Sequence, residues 1–320
     1  ALVLCSSLVS AQNTITCSIE EAVPIIRTLE LKEPGDYTFV LSGEGSWDAI
    51  SEAMRLLPEG YNITLDCINV DGTDVYSREL GYTGASALSH LNDIDSLVGI
   101  ILPPYLVYAD DFLNGCKNLT KVFIPATITT LPTFKGSPNV KPLIAAGNPH
   151  YTLDKTGKFI MSKDGKLLCR VLGKADTDSL YEILKEVTFI DRQAFLGNHL
   201  TSIKFPDNRF KFIDADSYYK YYDYYAYSDL RKNALALTEI DPNTFEGCTA
   251  LTNIKIPDGV TKIGESAFKG CTALAEISLP STLTSIGTSA FGGCTALTNI
   301  KIPDSVTKIG KSAFWGCTAL

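Results

Sequence analysis

From residue 245 to the end of the chain, the apolar positions return every 23 residues. Phe245, Phe268, Phe291 and Phe314 coincide, as do Leu251, Leu274 and Leu297, and Ile254, Ile277 and Ile300. The copies share the order F-x-G-C-T-A-L-x-x-I-x-I/L-P, then V/L-T-x-I-G-x-S-A-F. In L-x-x-I-x-I, alternate residues point inward and the intervening ones face solvent, as in a half-buried strand. Pro257, Pro280 and Pro303 follow each time. Proline cannot donate a ladder hydrogen bond, so it marks the strand's end. V-T-x-I-G alternates again and predicts a second short strand on the opposite side of each coil. S-A-F-x-G-C is too short for a regular helix and predicts a tight turn or a single helical turn.

Looser copies lie upstream. LVGIILP (97–103) and LTKVFIP (119–125) stand 22 residues apart, with Phe112 and Cys116 between them. LTSIKFP (200–206) follows VTFIDRQAF (187–195), where Ile190 and Phe195 keep the interval of Ile263 and Phe268. VKPLIAAGNPHY (140–151) and LYEIL (180–184) read as degenerate strands. A fixed period of this length signals a repeat architecture. The predicted fold is mainly β, a right-handed leucine-rich-repeat solenoid of 22–23-residue coils with a small α/β N-terminal cap.

The cap is read from 12–78. It has a strand at 38–41, a helix over 47–57 capped by Ser46, and a strand at 61–70. Trp47, Ile50, Met54 and Leu57 share one face of that helix. Solenoid ends need specialised caps to cover their apolar rungs. The array is assigned to 79–320, with a hairpin excursion at 148–172 and a Tyr-rich insertion at 215–236. DKTGK and KDGK are the expected turns of the excursion. Residues 1–11 read as a signal-peptide remnant, with Val9 and Ala11 as the small residues before a cleavage at Gln12. Lipidation at Cys5 is the lesser alternative, because Leu4 before it is not small. At the other end the last copy stops at Leu320, before its strand, and reads as truncated.

The cysteines need a separate argument. Cys248, Cys271 and Cys294 recur once per coil, and Cys317 opens the next copy. Stacked coils rise by about 4.8 Å, which puts each copy above the last with parallel Cβ vectors. That geometry is poor for a disulfide. Metal-ligand spacing such as C-x-x-C is absent. The ladder is therefore read as packing, a column of buried thiols acting as small hydrophobes. Cys17 and Cys67 lie outside it and are the pair that a disulfide would join, with free thiols as the preferred alternative.

Composition narrows the function. The formal net charge is −8, without a Lys/Arg cluster, so no nucleic-acid partner is expected. No apolar run is long enough to predict a transmembrane span. Three histidines exist, His90, His150 and His199, and none sits at metal-ligand spacing. No G-x-S-x-G, H-E-x-x-H or phosphate-loop pattern occurs. NVDGTD (69–74) lacks the EF-hand spacing and reads as a turn. No enzyme, cofactor or metal site is expected.

The repeat resembles the treponemal-type leucine-rich repeat of BspA-like surface proteins. GNPHYTLDKTGKFIMSKDGKLLCRVL (147–172) is similar to an N-P-x-Y plus hairpin excursion common in that family. The segment at 34–72 resembles the one preceding its repeats. The Asn or Cys found after the strand in commoner leucine-rich repeats is missing, and Gly259 stands there. The resemblance implies a secreted or cell-surface protein that binds host or neighbouring-cell molecules, and no catalytic residues.

Two candidate surfaces follow. The first is the insertion, with Tyr218, Tyr219, Tyr221, Tyr222, Tyr224, Tyr225 and Tyr227. Tyrosine gives large amphipathic contact area at low entropy cost. Folding of these rings onto the solenoid flank is the plainer alternative. The second is the strand face, where outward residues flank the inward Ile. Lys204, Asn253, Lys255, Glu276, Asn299 and Lys301 are the candidates, with Ser202, Ser278, Lys121 and Phe123 in the same array. Simple solubility would also place polar residues there. The expected function is adhesin-type binding of a protein or glycan ligand. The alternative is a structural surface scaffold that self-associates without a soluble ligand.

Overall fold

The computed structural model describes residues 13–43, 46–70, 91–104, 106, 109, 112–172, 180–183, 186–187, 189–191, 193–205, 211–213 and 239–320. The signal-peptide reading, His90, and the Tyr-rich insertion lie outside the described residues. Two compact units are present, Ala1–Thr152 and Leu153–Leu320.

In the first unit, β1 (Thr14–Ser18), β2 (Gly35–Gly43), β3 (Tyr61–Val70), β4 (Leu97–Ile101), β5 (Lys121–Ile124) and β6 (Lys141–Ile144) form one sheet in that order. Every neighbouring pair is parallel. Helix α1 (Ile19–Arg27) connects β1 to β2, and α2 (Trp47–Arg55) connects β2 to β3. The predicted helix is thus found, with the Ser46 side chain accepting from Ala49 N–H and with Trp47, Ile50 and Met54 buried. Helix α1 was not anticipated. Its signature is Ser18 with Glu21 three residues on, a capping box in which each side chain meets the other's backbone N–H. Cys17 and Cys67 are free thiols on β1 and β3, with β2 between them.

The second unit is built from coils with a strand on each side. One sheet contains β10 (Leu180–Glu182), β12 (Ser202–Lys204), β15 (Asn253–Lys255) and β17 (Glu276–Ser278), all parallel. Asn299 continues it through a parallel bridge to Glu276. The other side carries β11 (Phe189–Asp191) with β13 (Lys211–Ile213), then β14 (Glu239–Ile240), β16 (Lys262–Ile263), β18 (Ser285–Ile286) and β19 (Lys308–Ile309). The excursion forms β7 (Tyr151–Leu153), β8 (Phe159–Ser162) and β9 (Leu167–Val171), with turns at Gly157 and Gly165 where they were expected. β9 pairs antiparallel with β8 and parallel with β11.

Three columns hold these coils in register. The first is aromatic. Phe195, Phe245, Phe268, Phe291 and Phe314 stack ring on ring at 4.9, 5.0, 5.3 and 5.4 Å. The second is made of thiols, and it explains why cysteine recurs. Cys248, Cys271, Cys294 and Cys317 each donate Sγ–H to the carbonyl of the Phe one coil back, at 2.9, 3.1, 3.2 and 3.1 Å. They are free, as read from the sequence, but they are more than fillers. Each carbonyl also accepts a backbone N–H within its own turn, from Asn198, Cys248, Cys271 and Cys294 in order, so the thiol fills its second lone pair and ties one coil to the next. The neighbouring Cys248 and burial push the Cys271 thiol far above its ordinary range, and burial does the same to Cys294. The third column is glycine. A Cβ on Gly287 would stand 2.6 Å from the backbone of Gly264, and one on Gly310 would stand 2.4 Å from Thr288 N. Backbone meets backbone there, so the I-G pair of the repeat is a steric requirement.

Arg170 and Asp191 form an ion pair at 2.9 Å with both side chains buried. The Arg170 guanidinium also donates to Cys169 O and to Gln193 Oε1, and Asp191 accepts from Gln193 N–H. Such a pair tolerates burial only because its remaining hydrogen bonds are made.

Candidate functional site

The strand face is organised by the pleat. On β15 and β17 the central Ile is buried while Asn253, Lys255, Glu276 and Ser278 are exposed. Pairing puts Asn253 beside Glu276 and Glu276 beside Asn299, with Lys255 beside Ser278 in the parallel row. Six of the predicted outward residues, Asn253, Lys255, Glu276, Ser278, Asn299 and Lys301, line a single groove of about 620 Å³. Ser281 and Thr298 also line it. They were not anticipated, because each lies just outside the strand that carried the alternation. The Asn253 amide is oriented by the Thr252 hydroxyl at 3.1 Å, and that hydroxyl donates to Thr201 O at 3.1 Å.

Lys204 also belongs to this sheet, but Glu182 on the adjacent strand takes its ammonium at 2.8 Å. The same habit recurs elsewhere in the unit. Lys262 pairs with Glu239 and Lys269 with Glu246, in each case one coil back. Lys255 and Lys301 depart from it. One coil before Lys255 stands Lys204, and one before Lys301 stands Ser278, so no carboxylate waits in that row.

One outward assignment fails. Phe123 was expected to face solvent, yet it is 7% exposed. Its row in the first unit is apolar, with Ile101 and Leu143 as its partners on β4 and β6. Ile68 and Ala145 pack against the Ile101–Phe123 cluster. Strand alternation tells which side a residue takes, not whether its neighbours there leave it wet. Lys121 is exposed as expected.

Described strands precede and follow residues 214–238 on both sides of the unit. Ile203 of β12 pairs directly with Ile254 of β15, although 51 residues separate them. The face sheet therefore runs on without a break. The other side does not, since β13 pairs with β11 while β14 starts a new sheet with β16.

Burial lowers the pKa of both His150 and His199. Among the described residues no group of three or more His, Cys, Asp or Glu gathers to hold a metal ion. No helix among them is long and apolar enough to cross a membrane.

Residues 238–320 match the model of the BspA type leucine rich repeat region, in six copies. No curated protein matches the chain. Among solved structures, the leucine rich repeat protein of T. pallidum is 24% identical, over 55% of this chain and 68% of that one, with a TM-score of 0.35. A leucine rich cell surface protein of Faecalibacterium prausnitzii is 20% identical, over 94% and 83%, with a TM-score of 0.40. The pneumococcal vaccine antigen PcpA is 16% identical, over 88% and 69%, with a TM-score of 0.40.

Proposed function

With residues 238–320 a BspA-type leucine-rich repeat region, we propose that this chain is a secreted or cell-surface interaction protein. It holds a protein or glycan ligand of host or neighbouring cells across the strand face. Repeat arrays of this kind use such extended faces for binding. One observation supports the reading above the rest. Side chains from three successive coils, which local sequence does not connect, meet in a single groove. Its lining holds one carboxylate, Glu276, and neither His nor Cys, which favours binding over catalysis. In the same proposal 12–78 acts as the cap, export ends with cleavage before Gln12, and the Tyr-rich insertion is a second contact surface.

The test is a screen of the whole secreted protein against matrix proteins and glycans, followed by variants of each surface. Replacing Asn253, Lys255, Asn299 and Lys301 together by Ala should weaken the partner by about tenfold or more, as loss of several polar contacts does. Deleting 217–228 should leave the thermal transition nearly unchanged and weaken binding only if the tyrosines make contact. Full binding by both variants would leave the reading without a surface. Self-association without any captured ligand would replace it with the scaffold.

A further inference from the structure

We infer that the ligand of this groove is an acidic polysaccharide lying across the strands, its carboxylates held by Lys255 and Lys301 and its hydroxyls by Glu276 and the asparagine amides. The inference rests on the binding reading above and names the chemistry that the groove selects.

The charge pattern carries the argument. The chain as a whole has a formal charge of −8. Three lysines of this unit, Lys204, Lys262 and Lys269, are each matched by a glutamate one coil back. Lys255 and Lys301 are exposed, line the groove, and form no ion pair among the described residues. They sit in the same row two coils apart, about 10 Å by strand spacing. Two ammonium groups so placed select a ligand whose negative charges recur along its length. An ammonium beside a carboxylate makes a charge-assisted hydrogen bond, roughly twice as strong as a neutral one.

The rest of the lining tells one polyanion from another. Glu276 lies between Asn253 and Asn299 in the parallel row and would repel a ligand that was anionic throughout. A chain of hydroxyl-bearing rings with periodic carboxylates meets both rows, because hydroxyls donate to Glu276 while carboxylates accept from the lysines. Protein partners instead anchor through aromatic or Arg residues in desolvated pockets. The groove has no aromatic or Arg lining, and its apolar members are Ile254, Ile277, Leu279 and Pro303. The repeating ligand also suits a repeating site, since each coil offers the same positions one strand spacing further on.

The probe is polygalacturonate, titrated into the whole protein at low salt, with dextran as the neutral control and poly-L-glutamate as the anionic peptide control. Polygalacturonate should bind, dextran should not, and poly-L-glutamate should bind more weakly. The double variant Lys255→Gln, Lys301→Gln should lose about tenfold in affinity, the sum of two exposed charge pairs. Lys262→Gln with Lys269→Gln should lose nothing, since those lysines already have partners. Raising the salt to about 0.5 M should erase most of the binding. Equal binding of dextran, equal or tighter binding of poly-L-glutamate, or an unaffected double variant would each overturn the inference. So would no binding of polygalacturonate. In any of these cases the wider reading stands or falls separately, on whether the fourfold Ala variant loses the partner found in the screen.

Discussion

Two stretches build the same kind of coil from unequal sequence. In 245–320 every coil repeats Phe, Gly-Cys and Ile-Gly, and each thiol reaches the Phe carbonyl one coil back. In 91–148 the phrase is worn, yet the bond survives. Cys116 donates to Leu91 O at 3.4 Å, and one coil on Ser137 donates to Leu113 O at 2.8 Å. Asn198, in the coil before the insertion, donates to Val171 O at 2.7 Å. What the coil requires is a short donor aimed backward. Cysteine meets that requirement and also packs as a hydrophobe, so the regular stretch keeps it.

The most severe way to break the regular stretch is through its aromatic column. Phe268→Ala removes a fully buried ring between two stacked neighbours and should cost about 3–5 kcal/mol in denaturant unfolding. A loss below about 1 kcal/mol would mean that the column is not a core element. Next comes the thiol. Cys271→Val keeps the apolar volume but removes the inter-coil donor to the Phe245 carbonyl, which retains its bond from Cys248 N–H, and should cost about 0.5–1.5 kcal/mol. Cys271→Ser should cost less than the Val variant, because Ser137 already fills this role in the worn stretch. If the Ser variant were the worse of the two, packing rather than the donated bond would explain the ladder.

Alkali should produce a smaller, graded loss. Burial first, with the nearby Asp93 and Asp95 adding to it, pushes the Cys116 thiol up to about 11. A thiol raised in the folded state favours the protonated form there, so the unfolded chain gives up its proton first. Its contribution is complete below the unfolded value and is lost as pH rises to about 11. Urea midpoints should fall across that window, and less so in Cys116→Ser. The least effect is expected at the surface. Lys204→Gln removes the exposed pair with Glu182 and should shift the midpoint by too little to separate from the parent, least of all at high salt.

The regular coils were legible because their constraints are local and repeated. Phe at a fixed interval, Pro after the strand and alternating Ile each carry their meaning within one copy. The groove was legible in part, since alternation picks out Asn253, Lys255, Glu276, Asn299 and Lys301 as outward residues. It does not tell that they share one hollow, nor that Lys204 is taken by Glu182. Phe123 failed for a related reason, because Ile101 and Leu143 beside it come from other coils. The thiol–carbonyl bonds and the Arg170–Asp191 pair were hidden in the same way. Each joins groups about one coil apart, a distance at which sequence shows residue types but not who faces whom. Helix α1 is different, since Ser18 and Glu21 announce it within four residues.

The glycine column has a consequence for how such a chain can change length. From Gly264 to Gly310 every joint between coils is the same joint, with Ile263, Ile286 and Ile309 in one register. Removing 23 residues anywhere between Phe245 and Phe314 brings an identical seam back together. Removing one residue fewer puts a side chain where two backbones touch. The array therefore behaves as a ratchet with a single permitted step. A whole coil can be added or dropped without creating an unfamiliar interface, and the length of the strand face then scales with copy number.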